Sequence, residues 1–326
     1  MAISSFPTAG EQVAERVASA VREGLASRPR HLPPWLFYDE AGSELFERIT
    51  ELPEYYLTRT ERGILNEFAG PMIAAAADGR RIRIAELGAG SADKTRLLLC
   101  AAARRQGQVI YEPIDVSWSA LAAARGRIER EISAVTVLPQ VMDYTDGLFL
   151  EQASPDEHRM VLYIGSSIGN FEPDDAASVL RNVRRALSPG DSLLLGVDLA
   201  KDEATLLAAY DDSAGVTAAF NGNLLVRLNR ELGANFDPNG FVHVAKWNPR
   251  ASRIEIYLES RVAQTVLLPA LETRVRFAAG ERIHTENSYK YREGQAERML
   301  CNAGFRPAER WTDPRGWFAV YLAVAE

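Results

Sequence analysis

Three features of this chain have the residue types and spacing to do chemistry on a small ligand: a glycine turn, acids that follow strands, and a loop of small residues carrying one amide. The glycine turn is Gly88-Ala89-Gly90. It follows a short apolar run at 82–87, long enough for a strand, and precedes a segment at 97–103 that can be helical, with Ser91 as candidate N-cap. Strand, turn and helix make the first half of a βαβ unit, and in open sheets of such units ligands sit at the carboxyl ends of the strands. Glycine lets a ligand approach the backbone where a side chain would collide. A dinucleotide fingerprint needs a third glycine, but Asp93 stands in that place, and its carboxylate would repel a pyrophosphate. Glu86 before the turn and Lys94 after it fit a ligand with an ammonium group and a carboxylate instead.

S-adenosylmethionine (SAM) has both groups and no phosphate, and the E-x-G-x-G pattern at 86–90 is similar to the first motif of SAM-dependent methyltransferases. Taken alone, the turn serves equally well as a structural connection. The strand ends add to it. Asp115 closes the second strand (109–114), where a carboxylate can accept both ribose hydroxyl protons. Asp143 follows the third strand (135–141), where it can accept from the adenine amino group. The fourth strand (160–164) opens into Gly165-Ser166-Ser167-Ile168-Gly169-Asn170, where a methyl acceptor would meet the sulfonium. Each acid alone is an ordinary turn residue, and asparagine is common in loops; their recurrence at consecutive strand ends favours binding.

The elements that position these residues alternate. A helix at 119–132, another at 176–187 and a fifth strand at 192–197 continue the β–α pattern, giving a doubly wound α/β domain. The alternation stops at 201. Helices are expected at 204–210 and 216–232, then strands at 241–247 and 253–261, and further antiparallel segments at 266–271 and 273–277. The strand at 253–261 is well patterned, with Ile254, Ile256 and Leu258 on one face. The chain then returns to the α/β domain with a helix at 296–303 and a hairpin of strands near 305–311 and 318–324. Upstream lie an amphipathic helix at 11–26, an aromatic-rich stretch at 31–61 with a short helix at 43–49, and a helix from 60 to about 77. In the aromatic stretch Phe37 and Phe46 read as core. Tyr38 and Tyr55 are better site candidates, because a tyrosine hydroxyl needs a partner when buried.

Composition narrows the class. The 326 residues carry 37 Lys and Arg against 44 Asp and Glu, a net charge of -7, so no basic field gathers nucleic acid. The two cysteines, Cys100 and Cys301, are far apart and lack metal spacing. Neither a membrane-length apolar run nor a signal-peptide layout is expected. The expectation is a cytoplasmic, monomeric protein with no bound metal and no membrane or nucleic-acid partner.

With these residues in place the sequence resembles, nearly end to end, the histidine Nα-methyltransferases of ergothioneine biosynthesis. The stretches that carry the likeness are Phe37-Tyr38-Asp39 with 52–56, 86–94, 165–170, 209–220 (AYDDSAGVTAAF) and Thr285-Glu286-Asn287-Ser288. The resemblance implies a Rossmann-like class I methyltransferase domain (62–200 with 291–326) and an inserted α+β substrate-binding domain (201–290, completed by 1–61). It implies three methyl transfers from SAM to the α-amine of L-histidine, giving hercynine and S-adenosylhomocysteine. The mono- and dimethyl amino acids would be intermediates. It assigns Gly88, Lys94, Asp115 and Asp143 to SAM. It assigns Tyr38, Tyr55, Gly165, Asn170, Tyr210, Glu286 and Ser288 to the amino acid, with Tyr38 and Gly165 beside the reacting amine. Three positions depart from the family pattern: Leu57 where a proline is frequent, Tyr144 where a phenylalanine often packs near the adenine, and Ile256 where some members carry methionine against the substrate side chain. A rival reading is the same chemistry on another amino acid such as tryptophan. An NAD(P)-dependent oxidoreductase is disfavoured by Asp93, and a non-enzymatic SAM-binding module leaves the polar residues around the fourth-strand loop unexplained.

Overall fold

The computed structural model describes residues 9–326, apart from residues 91, 146, 152 and 155. Contacts divide the chain into two units: Leu57–Lys201 with Tyr289–Glu326, and Met1–Tyr56 with Asp202–Ser288.

The first unit is built on one large sheet. Its order is Phe305–Thr312, Phe318–Ala325, Ser192–Asp198, Glu157–Tyr163, Arg81–Leu87, Val109–Asp115 and Val135–Val137. The central strands pair in parallel, and Phe318–Ala325 runs antiparallel to Ser192–Asp198 and to Phe305–Thr312. Strand order therefore reverses beside Arg81–Leu87, the strand that feeds the glycine turn, and a ligand crevice opens at such a reversal. Helices cover both faces. Ile82, Ile84, Met160 and Leu162 enter one apolar cluster, and Ala85, Leu87, Val161 and Tyr163 enter the other. Strands buried on both faces read as continuous apolar runs, which is why these stood out in the sequence. This is the doubly wound α/β architecture expected of a Rossmann-like class I methyltransferase domain.

Several boundaries differ from expectation. The third strand breaks into Val135–Val137 and Gln140–Val141, because Pro139 between them has no N–H to give the ladder. The helix expected from 60 starts at Tyr56 and runs to Ala77, so Glu61 lies in its second turn. Ser91 lies outside the described residues; the helix after the glycine turn is Thr95–Gln106, with Lys94 in the N-cap position and no side-chain cap.

In the second unit, helices Glu203–Tyr210 and Val216–Leu232 accompany a sheet ordered Arg30–His31, Arg282–Tyr289, Arg253–Ser260, Phe241–Asn248. A two-stranded ribbon pairs Gln264–Leu268 with Thr273–Phe277. The short helix of the aromatic stretch is Glu40–Glu51, longer than expected because Asp39 caps it by accepting from Gly42 N–H. The strand Arg282–Tyr289 was not foreseen. It places Glu286 inside the sheet.

Candidate functional site

The glycine turn is an open backbone cradle. Gly88 and Gly90 take φ of 64° and 48°, a left-handed conformation that a side chain makes costly. A Cβ at Gly90 would meet nothing within 4 Å, and one at Gly88 would meet only the Tyr144 hydroxyl, at 3.7 Å. Asp115 ties the turn down: Oδ2 accepts from Gly90 N–H at 3.3 Å and Oδ1 from Ser117 N–H at 2.9 Å. Asp143 accepts from the Thr145 N–H at 3.0 Å and hydroxyl at 2.6 Å. Burial raises the pKa of Tyr144, with the charges of Asp115 and Asp143 adding to it, and its ring meets Tyr163 edge-on at 5.7 Å. The structure thus brings Gly88, Asp115, Asp143 and Tyr144 together at the carboxyl ends of adjacent strands. The arrangement fits SAM: acids to accept from ribose and adenine, and backbone bare enough to be approached.

Glu86 does not face this cradle. It is buried and accepts from the Thr95 hydroxyl at 2.6 Å and from the Tyr111 hydroxyl. Burial outweighs these bonds and pushes its pKa up to about 7. Lys94 pairs with Glu61, a residue that sequence reasoning did not select. Glu61 is 0% exposed, and its two carboxylate oxygens accept the Gly165 N–H at 2.8 and 3.0 Å. A signal was available. On the helix Tyr56–Ala77, Glu61 shares its stripe with the buried Leu57, Ile64 and Leu65, and a lone acid on an apolar face needs a reason. Leu57, one of the three departures, is simply part of that stripe.

The fourth-strand loop is held as tightly. Gly165 has φ of 83°, and a Cβ there would lie 3.3 Å from Lys94 Nζ. Ser166 Oγ accepts from Asp198 N–H at 2.9 Å. At Gly169 a Cβ would press on the Tyr289 carbonyl at 2.9 Å. Asn170 ends the 3₁₀ turn Ser167–Asn170 and is half-buried. Gly165, Lys94 and Glu61 converge.

The remaining candidates belong to the other unit. Tyr38, 44% exposed, sets its ring edge-on to Phe46 and Phe220, at 5.7 and 5.8 Å. Phe46, expected in the core, is only half-buried and also meets Tyr55 at 6.4 Å. Tyr55 in turn packs edge-on against Tyr210 at 6.2 Å. Tyr210 is buried, and its hydroxyl shares a hydrogen bond of 2.8 Å with Ser288 Oγ. The Tyr210 carbonyl contacts His243 Nε2 at 2.8 Å, while Asn221 Nδ2 faces His243 Nδ1 at 2.9 Å. This assigns the imidazole as the neutral Nε2–H tautomer, and its burial lowers its pKa. On the sheet, Thr285 Oγ1 donates to the Ile256 carbonyl at 3.2 Å, so Ile256 and Glu286 are near neighbours on adjacent strands. Ile256 is buried and Glu286 half-buried. Tyr38, Tyr55 and Tyr210 thus form one aromatic chain that ends at Ser288, two residues from Glu286. No group of His, Cys, Asp and Glu among the described residues could hold a metal ion.

A family model described as histidine-specific methyltransferase, SAM-dependent, matches residues 17–325. Among similar proteins, the histidine N-alpha-methyltransferase of Mycolicibacterium smegmatis is 45% identical over 97% of each chain. The enzyme of that name from Mycobacterium tuberculosis is 43% identical over 93% of each. A 4-dimethylallyltryptophan N-methyltransferase of Aspergillus fumigatus is more distant, at 29% identity over 94% of this chain and 92% of its own.

Proposed function

We propose that this chain, which belongs to the family of SAM-dependent, histidine-specific methyltransferases, transfers three methyl groups in succession to the α-amino nitrogen of L-histidine. The product is hercynine, and the reaction is the first step of ergothioneine biosynthesis. The observation that carries the substrate reading is the buried Tyr210–Ser288 hydroxyl pair, which joins a carboxylate donor to the strand that bears Glu286.

When bound, SAM supplies an electrophilic methyl on a sulfonium, and the thioether is the leaving group. Gly88, Lys94, Asp115, Asp143 and Tyr144 hold it. Asn170 and Tyr210 donate to the amino acid's carboxylate, and Tyr55, packed edge-on against Tyr210, lines the amino-acid site beside them. Glu286 accepts from an imidazole N–H, Ser288 supports it, and Ile256 lines the side-chain pocket. Gly165, lacking a side chain, leaves room beside the amine, and Tyr38 orients it. The amine must attack as the free base, so the site has to take it without its proton. Holding nitrogen in line with the methyl accounts for most of the rate, since orientation alone reaches effective molarities of about 10⁵–10⁸ M. After the first and second transfers the nitrogen sheds a proton before attacking again; after the third it is quaternary and has none to lose.

The same chemistry on tryptophan is the second reading, favoured by the relative that acts on a tryptophan derivative. Glu286 argues against it, because a carboxylate beside an imidazole favours the imidazolium, with its charge and two N–H donors, whereas an indole offers one N–H and takes up no proton. Both cysteines are free thiols, which supports work in the reducing cytoplasm, and the reading requires only one copy of the chain. No helix among the described residues is long and apolar enough to cross a membrane. Incubating the protein with SAM and pooled amino acids, followed by mass spectrometry, tests the reading: histidine is the one consumed. Consumption of tryptophan in its place would move the assignment to the second reading.

A further inference from the structure

We propose that Glu61 is a positioning residue that sets the Lys94 ammonium for the cofactor, with Gly165 held on the same carboxylate; this rests on the reading that Lys94 holds SAM. Three parts of the larger unit meet at this side chain. Lys94, at the head of the helix after the glycine turn, forms an ion pair with Oε2. Gly165, at the mouth of the fourth-strand loop, gives its N–H to both oxygens at 2.8 and 3.0 Å. Gly196, inside the fully buried strand Ser192–Asp198, makes the space: a Cβ there would fall 2.2 Å from Glu61 Oε1. Glu61 itself is 0% exposed, while the Lys94 side chain keeps 20% of its surface open.

This geometry has a chemical consequence. A buried carboxylate is costly unless it is paired and hydrogen-bonded. Glu61 meets that condition only when Lys94 and the Gly165 N–H are both in place. A lysine side chain is long and flexible, and its ammonium is a point charge with three donors. One donor anchored on Glu61 fixes the nitrogen and leaves the others for a ligand carboxylate. Lys94 Nζ takes up the space beside Gly165, where a Cβ would lie 3.3 Å from it, so only a residue without a side chain leaves the lysine undisturbed there. Glu61 thus acts through Lys94 and Gly165 and touches neither substrate.

A double-mutant cycle on the full chain tests this, with SAM affinity read by calorimetry and folding read by thermal denaturation. Glu61→Gln keeps the side chain's length and an acceptor for Gly165 but releases Lys94. Lys94→Met removes the ammonium and strands a buried charge. The two together restore a neutral, matched pair. Each single variant should weaken SAM binding about 10- to 100-fold, the scale of a lost charge-assisted hydrogen bond. The double variant should bind no more weakly than Lys94→Met alone, because both changes act on one contact. Its melting temperature should recover above that of Lys94→Met while its SAM affinity does not. A carboxylate that only held the fold would lower the melting temperature of Glu61→Gln and leave its SAM affinity native. Native affinity in Glu61→Gln beside weak binding in Lys94→Met overturns the role of Glu61 and leaves Lys94 as a SAM ligand. Native affinity in Lys94→Met overturns both.

Discussion

Replacing Glu86 by glutamine should change how stability depends on pH, in a direction the structure sets. Burial pushes this carboxyl from 4.5 up to about 7, against the pull of bonds from Thr95 and Tyr111 and the charge of Lys94. Below pH 4.5 both folded and unfolded chains carry the proton, and Glu86 makes no difference. Between 4.5 and about 7 the unfolded chain ionises first, so the folded state binds more protons and loses stability as pH rises. Above that window the loss is complete. The gap from 4.5 to about 7 corresponds to roughly 3 kcal/mol at about 1.4 kcal/mol per pH decade. Glutamine cannot ionise. It also cannot accept from both hydroxyls, so one of them must turn to take an amide proton. The protonated native carboxyl makes the same demand, so at pH 5 the two proteins should differ by no more than about 1 kcal/mol. The variant should therefore match the native protein within that margin at pH 5 and be more stable at pH 8, where the native side chain is ionised. Chemical denaturation followed by circular dichroism at the two pH values measures it. If the two proteins change stability in parallel between pH 5 and pH 8, the proton on Glu86 does not behave as its burial requires.

Three further outcomes follow from the site. Asp115→Ala should weaken SAM binding by about 1–3 kcal/mol, because it removes an acceptor and loosens the Gly90 N–H it holds; calorimetry that finds NADH bound and SAM ignored would contradict the cofactor assignment. Gly165→Ala should lower kcat at least about tenfold, since its φ of 83° costs a side chain about 1–2 kcal/mol and the new methyl would press on Lys94; unchanged turnover would remove Gly165 from the reacting region. Glu286→Ala should lose most histidine turnover and gain relative activity on tryptophan. Ile256→Met should change little, because a lost polar partner discriminates by about 10⁴-fold while an aliphatic exchange costs under ~1.5 kcal/mol. The kcat/KM values for both amino acids decide, and a Glu286→Ala protein that keeps its histidine preference reads the imidazole elsewhere.

The larger unit was legible because its signals are local. Each central strand is a continuous apolar run between turn residues, and Gly88, Gly90, Asp115 and Asp143 sit where the runs end. The strand Arg282–Tyr289 was not legible. Its buried positions include Thr285 and Asn287 as well as Ile283, so no apolar alternation marks it. Arg30–His31 is too short to leave a pattern, although it pairs with that strand in parallel. Glu61 could be flagged as a lone acid on an apolar stripe, but its role could not: its partners, Lys94 and Gly165, lie 33 and 104 residues away, and no spacing rule joins a helix to two distant loops. The units also divide at residues 56/57, 201/202 and 288/289, where the sequence suggested 61/62, 200/201 and 290/291. The first difference has a plain cause, because the helix Tyr56–Ala77 starts before Thr60.

The central claim concerns one nitrogen, and isotopes address it directly. L-Histidine labelled with ¹⁵N at the α-amine, given SAM carrying a ¹³C methyl group, should yield a product with three labelled methyl groups. All three should couple to the labelled nitrogen in the NMR spectrum, over an unmodified imidazole. A methyl carbon coupled to a ring nitrogen, or a product that stops at one methyl with SAM in excess, would contradict it.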